Sequence, residues 1–321
     1  MEIMLEKHGI ACYRNGNPKG EENMELRLLR YFLAVARENS FTRAAHYLHV
    51  TQPTLSRQMM DLEEELGQKL LNRETHHITL TPEGMLLRRR AEEIMALVQK
   101  TEAEFNAIGE NVSGDVYIGG GESKAMELVA DAISELHEDY PGICWHLYTG
   151  VAGDVMERLD NGLLDFGVLL QPVDIASYDS IALPVKDAWG VLMRRDNPLA
   201  EKESVTPEDL RKLPLICSRR DLRNKAVRNP YAEWFGDDLD KLNIAAVHNL
   251  IYNASLLVER GLGCALTLEH RNNIAGDKLC FRPLNPMLES GSCIVWKKYQ
   301  VFSKAAEVFR ERLVEKFAGV L

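Results

Sequence analysis

Two kinds of fold follow one another along this sequence: a helix-rich N-terminal segment and a longer α/β remainder, in a chain of more than one domain. Three observations predict this. Apolar residues recur at helical spacing in three short segments between Leu26 and Leu66, a long helical pattern opens at Thr81-Pro82-Glu83, and beyond Gly114 short apolar strands alternate with helices. The length, 321 residues, exceeds what one hydrophobic core usually serves. Apolar residues make up 45% and charged residues 27%, the composition of a globular chain able to bury sizeable cores.

Met1 to Asn23 has no periodicity and contains Asn15-Gly16-Asn17-Pro18, a loop composition. Helical patterning begins at Met24, and residues 1–23 read as a disordered or untranslated leader, with translation expected to start at Met24. In the first helix Leu26, Leu29, Phe32, Leu33 and Ala36 share one face. A short second helix runs from about Phe41 to Leu48, capped by Ser40 or Thr42, with Ala44 and Ala45 small enough to admit a neighbouring helix. Thr51 caps a third helix that tolerates Pro53 in its first turn and stops at Gly67. Two extended runs, at 69–71 and 78–80, flank polar residues 72–77 as a two-stranded wing does. The helix opening at Thr81 extends to about Ile108, about 40 Å at ~1.5 Å per residue. Leu87, Ile94, Leu97, Thr101, Phe105 and Ile108 form a narrow seam along it, suited to a partner helix.

The second and third helices, joined by His49-Val50-Thr51, have the spacing of a helix-turn-helix over residues 41–60, which places the tip of its second helix in the DNA major groove. Around it stand Phe41-Thr42-Arg43-Ala44-Ala45, Leu48 to Gln58, Leu62-Glu63, Leu66-Gly67, Leu70-Leu71, Arg73 and Leu80-Thr81-Pro82-Glu83-Gly84. In this order and spacing the segment from Leu26 to Gly84 closely resembles the LysR-type transcriptional regulators. The residue chemistry agrees. Gln52, Pro53, Thr54, Ser56 and Arg57 form the polar first turn of the third helix, where Gln can bridge adenine N6/N7 and Arg guanine O6/N7. Thr42, Arg43, Arg73 and Thr81 are expected to hold phosphates and set register. The acidic run Asp61, Glu63, Glu64 and Glu65 reads as a solvated face.

The resemblance implies a winged helix-turn-helix domain at 24–81, a linker and dimerisation helix at 82–113 and an effector-binding domain at 114–321. That last domain would be like periplasmic binding proteins, with two α/β lobes around a cleft. It is carried by Val116-Tyr117-Ile118-Gly119, Tyr140-Pro141-Gly142-Ile143, Leu159 to Gly167 and Gly261 to Leu266. Lobe I is expected at 114–184 and 268–321, and lobe II at 185–267. Ligands of open α/β lobes bind at strand C-termini and helix N-termini. By that rule Ser123 is the first effector-pocket candidate, and Thr149, Gln171, Ser218, Asn249 and Thr267 follow comparable strand ends. Helix capping is the plain structural alternative for each.

The net charge of −10 opposes nucleic-acid binding by the chain as a whole, but the charge is unevenly spread. Residues 24–90 hold ten Lys/Arg against eight Asp/Glu, and residues 91–321 hold 25 against 36. Implied partners are double-stranded promoter DNA, a small-molecule effector such as a carboxylate, and a second or further copies of the chain in a homodimer or homotetramer; RNA polymerase is a further candidate. No cofactor or metal is expected: the six cysteines are widely spaced, without C-x-x-C, and read as buried small hydrophobes in a reducing cytoplasm. No stretch is apolar for long enough to span a bilayer. An α/β enzyme or a pure ligand-binding protein is the alternative. Gly119 to Lys124 is glycine-rich after a strand but matches neither phosphate-binding motif, and G-x-S-x-G is missing, so no enzyme is expected.

Overall fold

The computed structural model describes residues 24–73, 78–106, 112–218, 230–269 and 278–319. The leader, His76-His77 of the wing and the 107–108 end of the long helix lie outside them. Two compact units divide between Met95 and Ala96. The first unit thus takes in half of the expected linker helix, for a reason visible in its packing.

That unit contains α1 (Leu26–Glu38), α2 (Phe41–Tyr47), α3 (Gln52–Leu66), β1 (Leu71–Arg73), β2 (Ile78–Leu80) and the start of α4 (Pro82–Asn106). Ser40 caps α2 by accepting from the Arg43 amide, and Thr51 caps α3 by accepting from the Thr54 amide. Between them the chain turns at His49, whose φ is 55°, and the Val50 amide donates to the Ala45 carbonyl. Gly67 ends α3 at φ 64°, a conformation that penalises any residue with a Cβ. Phe32, Val35, Ala44, Leu55, Met59 and Leu62 form the core of the three helices. Ala91 and Met95 of α4, with Leu87 and Ile94 beside them, pack against Leu29 and Leu33 of α1. The first half of the expected seam therefore belongs to its own domain's core, and Met85, Leu86, Leu97 and Phe105 are the large apolar side chains that α4 leaves exposed.

The acidic run departs from expectation at one position. Asp61, Glu64 and Glu65 are exposed, but Glu63 is 4% exposed. Its Oε1 accepts from the amides of Leu70 (2.8 Å) and Leu71 (3.1 Å), and its Oε2 pairs with Arg73 (3.1 Å). The carboxylate thus ties the end of α3 to the first wing strand, where no other acceptor meets those two amides among the described residues.

The second unit is an α/β domain in which β3 (Gly114–Gly120), α5 (Ala125–Asp139), β4 (Ile143–Thr149), α6 (Ala152–Asp160) and β5 (Phe166–Leu170) come first. Then follow β6 (Tyr178–Arg194), α7 (Pro207–Leu210), β7 (Leu215–Ser218), α8 (Pro230–Phe235), β8 (Ile244–His248), α9 (Ile251–Glu259) and β9 (Cys264–Leu268). β10 (Leu279–Pro283), β11 (Glu289–Lys297) and α10 (Lys304–Phe317) complete it. Strand order is β4-β3-β5-β11-β6-β9-β7-β8, with β10 pairing β6 separately. β3 runs parallel to β4 and β5, and β7 parallel to β8 and β9, whereas β6 and β11 run antiparallel to their partners.

Two separate cores make two lobes. One gathers Val116, Ile118, Val129, Phe166, Ile294, Phe309 and Leu313, the other Trp189, Val191, Leu215, Leu266, Cys280 and Leu284. β6 serves both, which short-run reading of the sequence resolved only as a strand near 190–193. The expected return to lobe I at 268 is corrected: β10 pairs with Gly190–Arg194, and Cys280 and Leu284 sit in the second core, so the chain returns at β11. The crossing is marked by a register shift, Gly291 opposing Lys186 but Ser292 opposing Leu183. Pro184, which has no amide to donate, lies in the skipped stretch.

Inside this unit Lys100 of α4 is buried with Asp165: Nζ and Oδ1 are 2.7 Å apart, and Asp165 Oδ2 accepts from the Tyr117 amide.

The Glu63 arrangement is testable. Burial opposes its charge, but the Leu70 and Leu71 amides and the Arg73 and Lys69 cations outweigh burial and hold its carboxyl below the usual value of 4.5. Its stabilising contribution is complete above that value and is lost as pH falls through the lower, folded one. Glu63→Ala is expected to destabilise the N-terminal unit by about 2–4 kcal/mol at neutral pH, read by urea unfolding, with the gap to wild type shrinking in acid. An unchanged midpoint at pH 7 would show that the carboxylate is dispensable.

Candidate functional site

Each unit presents one candidate surface. On the first, the start of α3 is exposed at Gln52, Pro53, Thr54 and Arg57, while Leu55, Met59 and Leu62 are buried and Ser56 is half-buried. Helical spacing turns 54 and 57 away from 55, 59 and 62; Gln52 shares the azimuth of the buried residues and is exposed because it is the first residue of the helix, with no turn before it. The Thr54 hydroxyl is 2.8 Å from that of Thr51, so Thr54 is part of its own helix cap as well as exposed. Pro53 costs no intrahelical bond in the first turn. Thr42 and Arg43 are exposed on α2, and Arg43 reaches the Glu38 carbonyl and lies 3.8 Å from its carboxylate.

One of the expected phosphate contacts is corrected, and a second is engaged within the unit. Thr81 is 8% exposed: its hydroxyl donates to the Lys69 carbonyl (2.7 Å) and accepts from the Gly84 amide (2.9 Å), closing the wing against α4 and capping that helix. Gly84 packs so tightly on the Leu70 carbonyl that a Cβ would collide with backbone. Arg73 is engaged by Glu63 and lies with its guanidinium 5.4 Å from the Phe41 ring centroid, a position set by the wing's own packing. A helix-opening Thr-Pro-Glu reads as a cap from sequence alone; the buried acid that claims Arg73 does not, because it sits in a run of four exposed-looking acids.

On the second unit, a cavity of about 110 Å³ opens between the lobes. Its walls come from the loop after β3 (Gly121, Glu122, Ser123), the start of α6, the end of β5, Trp189 of β6, the ends of β7 and β8, and the end of β9. Ser123, Ser218, Asn249 and Thr267 line it as expected. Thr149 and Gln171 do not: both are exposed, and Gly150 to Ala152 and Leu170 form the wall at those strand ends. The strand-end rule finds the place correctly but not which residue of each turn faces inward.

Three lining residues escaped sequence reasoning. Glu122 crosses the cleft, its Oε2 accepting from the Ile251 amide (3.2 Å) in the first turn of α9, where the helix dipole favours an anion. His248 is half-buried, with both ring nitrogens shielded from solvent and neither in a well-formed hydrogen bond among the described residues. Burial holds its pKa below 6.5 despite the nearby Glu122 carboxylate, so the ring is neutral at physiological pH. Trp189 donates from Nε1 to Ser290 (2.9 Å), which leaves its ring as an apolar wall. The signals were adjacency: Glu122 precedes Ser123 and His248 precedes Asn249. A second bridge, Lys124 Nζ to Glu269 Oε2 at 2.6 Å, joins the lobes beside the cavity, and the Lys124 amide donates to buried Asp187 (2.9 Å).

The chain matches two family models. Residues 26–85 match the bacterial regulatory helix-turn-helix protein, lysR family, and residues 109–318 match the LysR substrate binding domain. The Hca operon transcriptional activator HcaR of Escherichia coli is 29% identical over 92% of this chain and 99% of its own length. The DNA-binding transcriptional dual regulator OxyR of the same species is 32% identical over 64% of this chain and 67% of its own. Among solved structures, full-length CbnR complexed with its target DNA superposes with a TM-score of 0.69 at 20% identity, over 91% of this chain and 99% of that one. That likeness establishes the fold. No helix among the described residues is long and apolar enough to cross a membrane.

The reassigned Thr81 gives a prediction. Thr81→Val is expected to cost about 1 kcal/mol of unfolding free energy through the lost cap. It should leave DNA affinity at fixed salt unchanged. A loss of affinity shared equally by specific and non-specific sequences would instead restore the phosphate contact.

Proposed function

Because the chain belongs to the LysR family of bacterial DNA-binding transcriptional regulators, we propose that the exposed first turn of α3 reads base edges in the major groove of its promoter. We propose further that the cleft of the second unit takes the small-molecule effector. The observation that carries the first half is the division of α3 itself: Gln52, Thr54 and Arg57 are exposed at its dipole-positive end, and its opposite face is locked into the three-helix core. Thr42, Arg43 and the exposed Arg73 are the phosphate-facing set in this reading, since Thr81 is buried in its own helix cap.

One such helix spans too few base pairs for selectivity, so two copies are needed about 34 Å apart on the duplex. Exposed Met85, Leu86, Leu97 and Phe105 on α4 are the candidate contacts between copies in a homodimer or homotetramer. The domains assigned are 24–81 for DNA, 82–113 for the linker and 114–321 for the effector, with lobe II extended to about 288. A regulator of this design works without catalysis, in the cytoplasm, with RNA polymerase as a further partner.

In the cleft, Ser123, Ser218, Asn249 and Thr267 supply hydrogen bonds, neutral His248 accepts or donates one, and Trp189 packs on an apolar part of the ligand. A carboxylate effector would compete with Glu122 for the Ile251 amide. Ligand-dependent closure of the lobes would then act through a shift between pre-existing conformations.

Fluorescence anisotropy with the chain's own upstream DNA tests the base-reading assignment. Gln52→Ala and Arg57→Ala are each expected to weaken specific binding about 5- to 150-fold while changing non-specific binding little. Full retention of specific affinity in the double variant would refute it. For the cleft, a ligand found by thermal shift among small carboxylates should lose its stabilising effect in Ser218→Ala and Asn249→Ala; equal shifts in wild type and variants would move the site elsewhere.

A further inference from the structure

Away from the cleft and the DNA-binding face, three metal-ligating side chains meet at the start of strands β3 and β4. Asp115 stands opposite Cys144 in the parallel register, and His146 opposite Tyr117. Because side chains alternate along a strand, 115 and 117 on one strand and 144 and 146 on the other project from one face of the sheet. The carboxylate oxygen of Asp115, the Cys144 sulfur and a ring nitrogen of His146 all lie within 4.8 Å of one another. His146 Nε2 is 2.6 Å from Asp115 Oδ1.

We propose that Asp115, Cys144 and His146 form a binding site for a divalent transition-metal ion of borderline softness, with Zn2+ as the probe. One thiolate, one imidazole and one carboxylate is a donor set that suits Zn2+, and three protein ligands leave a fourth position for water. Metal–ligand bonds of about 2.0–2.3 Å in a tetrahedron put ligand atoms about 3.3–3.8 Å apart. The His146–Asp115 pair, at 2.6 Å, therefore opens by about 0.7 Å, and the Cys144 sulfur, within 4.8 Å, closes by at most about 1.3 Å, on side chains that are exposed or half-exposed. On binding, the Cys144 thiol gives its proton to solvent, the Nε2 proton of His146 is exchanged through solvent to Nδ1, and the hydrogen bond between His146 and Asp115 is replaced by two bonds to the ion.

The surroundings favour this. The His146 ring stacks on Tyr117, with centroids 4.4 Å apart and planes 12° from parallel, so its orientation is already set. Lys100, 5.0 Å from the Tyr117 ring, is paired with Asp165. Cys144 also differs from the other described cysteines, which are all buried; burial pushes Cys264 and Cys293 up to about 11 and keeps them protonated.

The test uses the full-length chain stripped of metal with EDTA and desalted. Titration with Co2+ is expected to give one equivalent per chain, with a thiolate-to-cobalt charge-transfer band and visible bands of tetrahedral cobalt, displaced by Zn2+. Cys144→Ser should abolish the charge-transfer band, and His146→Gln and Asp115→Asn should each weaken Zn2+ binding at least tenfold. Cys12→Ser should change nothing. Should a variant fold poorly, wild type alone decides: Zn2+ should slow modification of the exposed Cys144 thiol by a chromogenic disulfide at least tenfold. No cobalt band, a band that survives Cys144→Ser or disappears in Cys12→Ser, or a thiol that reacts at the same rate with and without Zn2+ would overturn the proposal.

Discussion

Strand β6 is the constraint on which the effector-binding domain rests. Its seventeen residues pair with β11 over one lobe and with β9 and β10 over the other. Neither core can form around a displaced β6, so the lobes are coupled through backbone hydrogen bonds rather than through a loose linker. Bending is confined to the place where the ladder is interrupted, at Pro184 on one strand and Gly291–Ser292 on the other. Side-chain bridges across the cleft, Glu122 to Ile251 and Lys124 to Glu269, then act on a joint whose position the sheet has already fixed.

The DNA-binding unit solves a similar problem with one acid. A helix presented to a groove must not roll about its axis, and α3 is held against rolling by Leu55, Met59 and Leu62 on α1 and α2. Those contacts leave its far end to be fixed by Glu63, which fastens the wing to it through two amides and Arg73. Wing and recognition helix consequently move as one body. The same geometry turns the Thr81 hydroxyl into the unit's own packing, while Arg73, though paired with Glu63, remains exposed.

Much of this was legible in the sequence where the physics is local. The caps at Ser40 and Thr51, the stop at Gly67, and the apolar stripe of α1 depend on residues within a turn or two of one another. The strand-end rule likewise located the cleft through Ser123, Ser218, Asn249 and Thr267. What escaped depends on pairing across long separations. β6 reads as a fragment because its first half alternates and is interrupted by Pro184. β10 joins the second lobe through a ladder with Gly190–Arg194 that no spacing reveals. Cys144 seemed one more buried thiol; its exposure, and its approach to Asp115 and His146, follow from the register of two parallel strands separated by a whole helix.

The charge of α3 bears on how an acidic protein approaches DNA. A helix is stabilised by acids in its first turn and bases in its last, yet α3 has neither. Asp61, Glu64 and Glu65 instead lie towards the end where the dipole is already negative, an arrangement that costs the helix some stability. In the proposed reading its compensation is directional: the amino-terminal end, with Arg57 and the positive pole of the dipole, would attract phosphate, while the carboxy-terminal end would repel it. A duplex approaching the helix would then meet the end bearing Gln52 and Thr54 first. Charge would set the orientation of approach before any base is touched, and a chain of net charge −10 would bind a polyanion through one short, locally favourable surface.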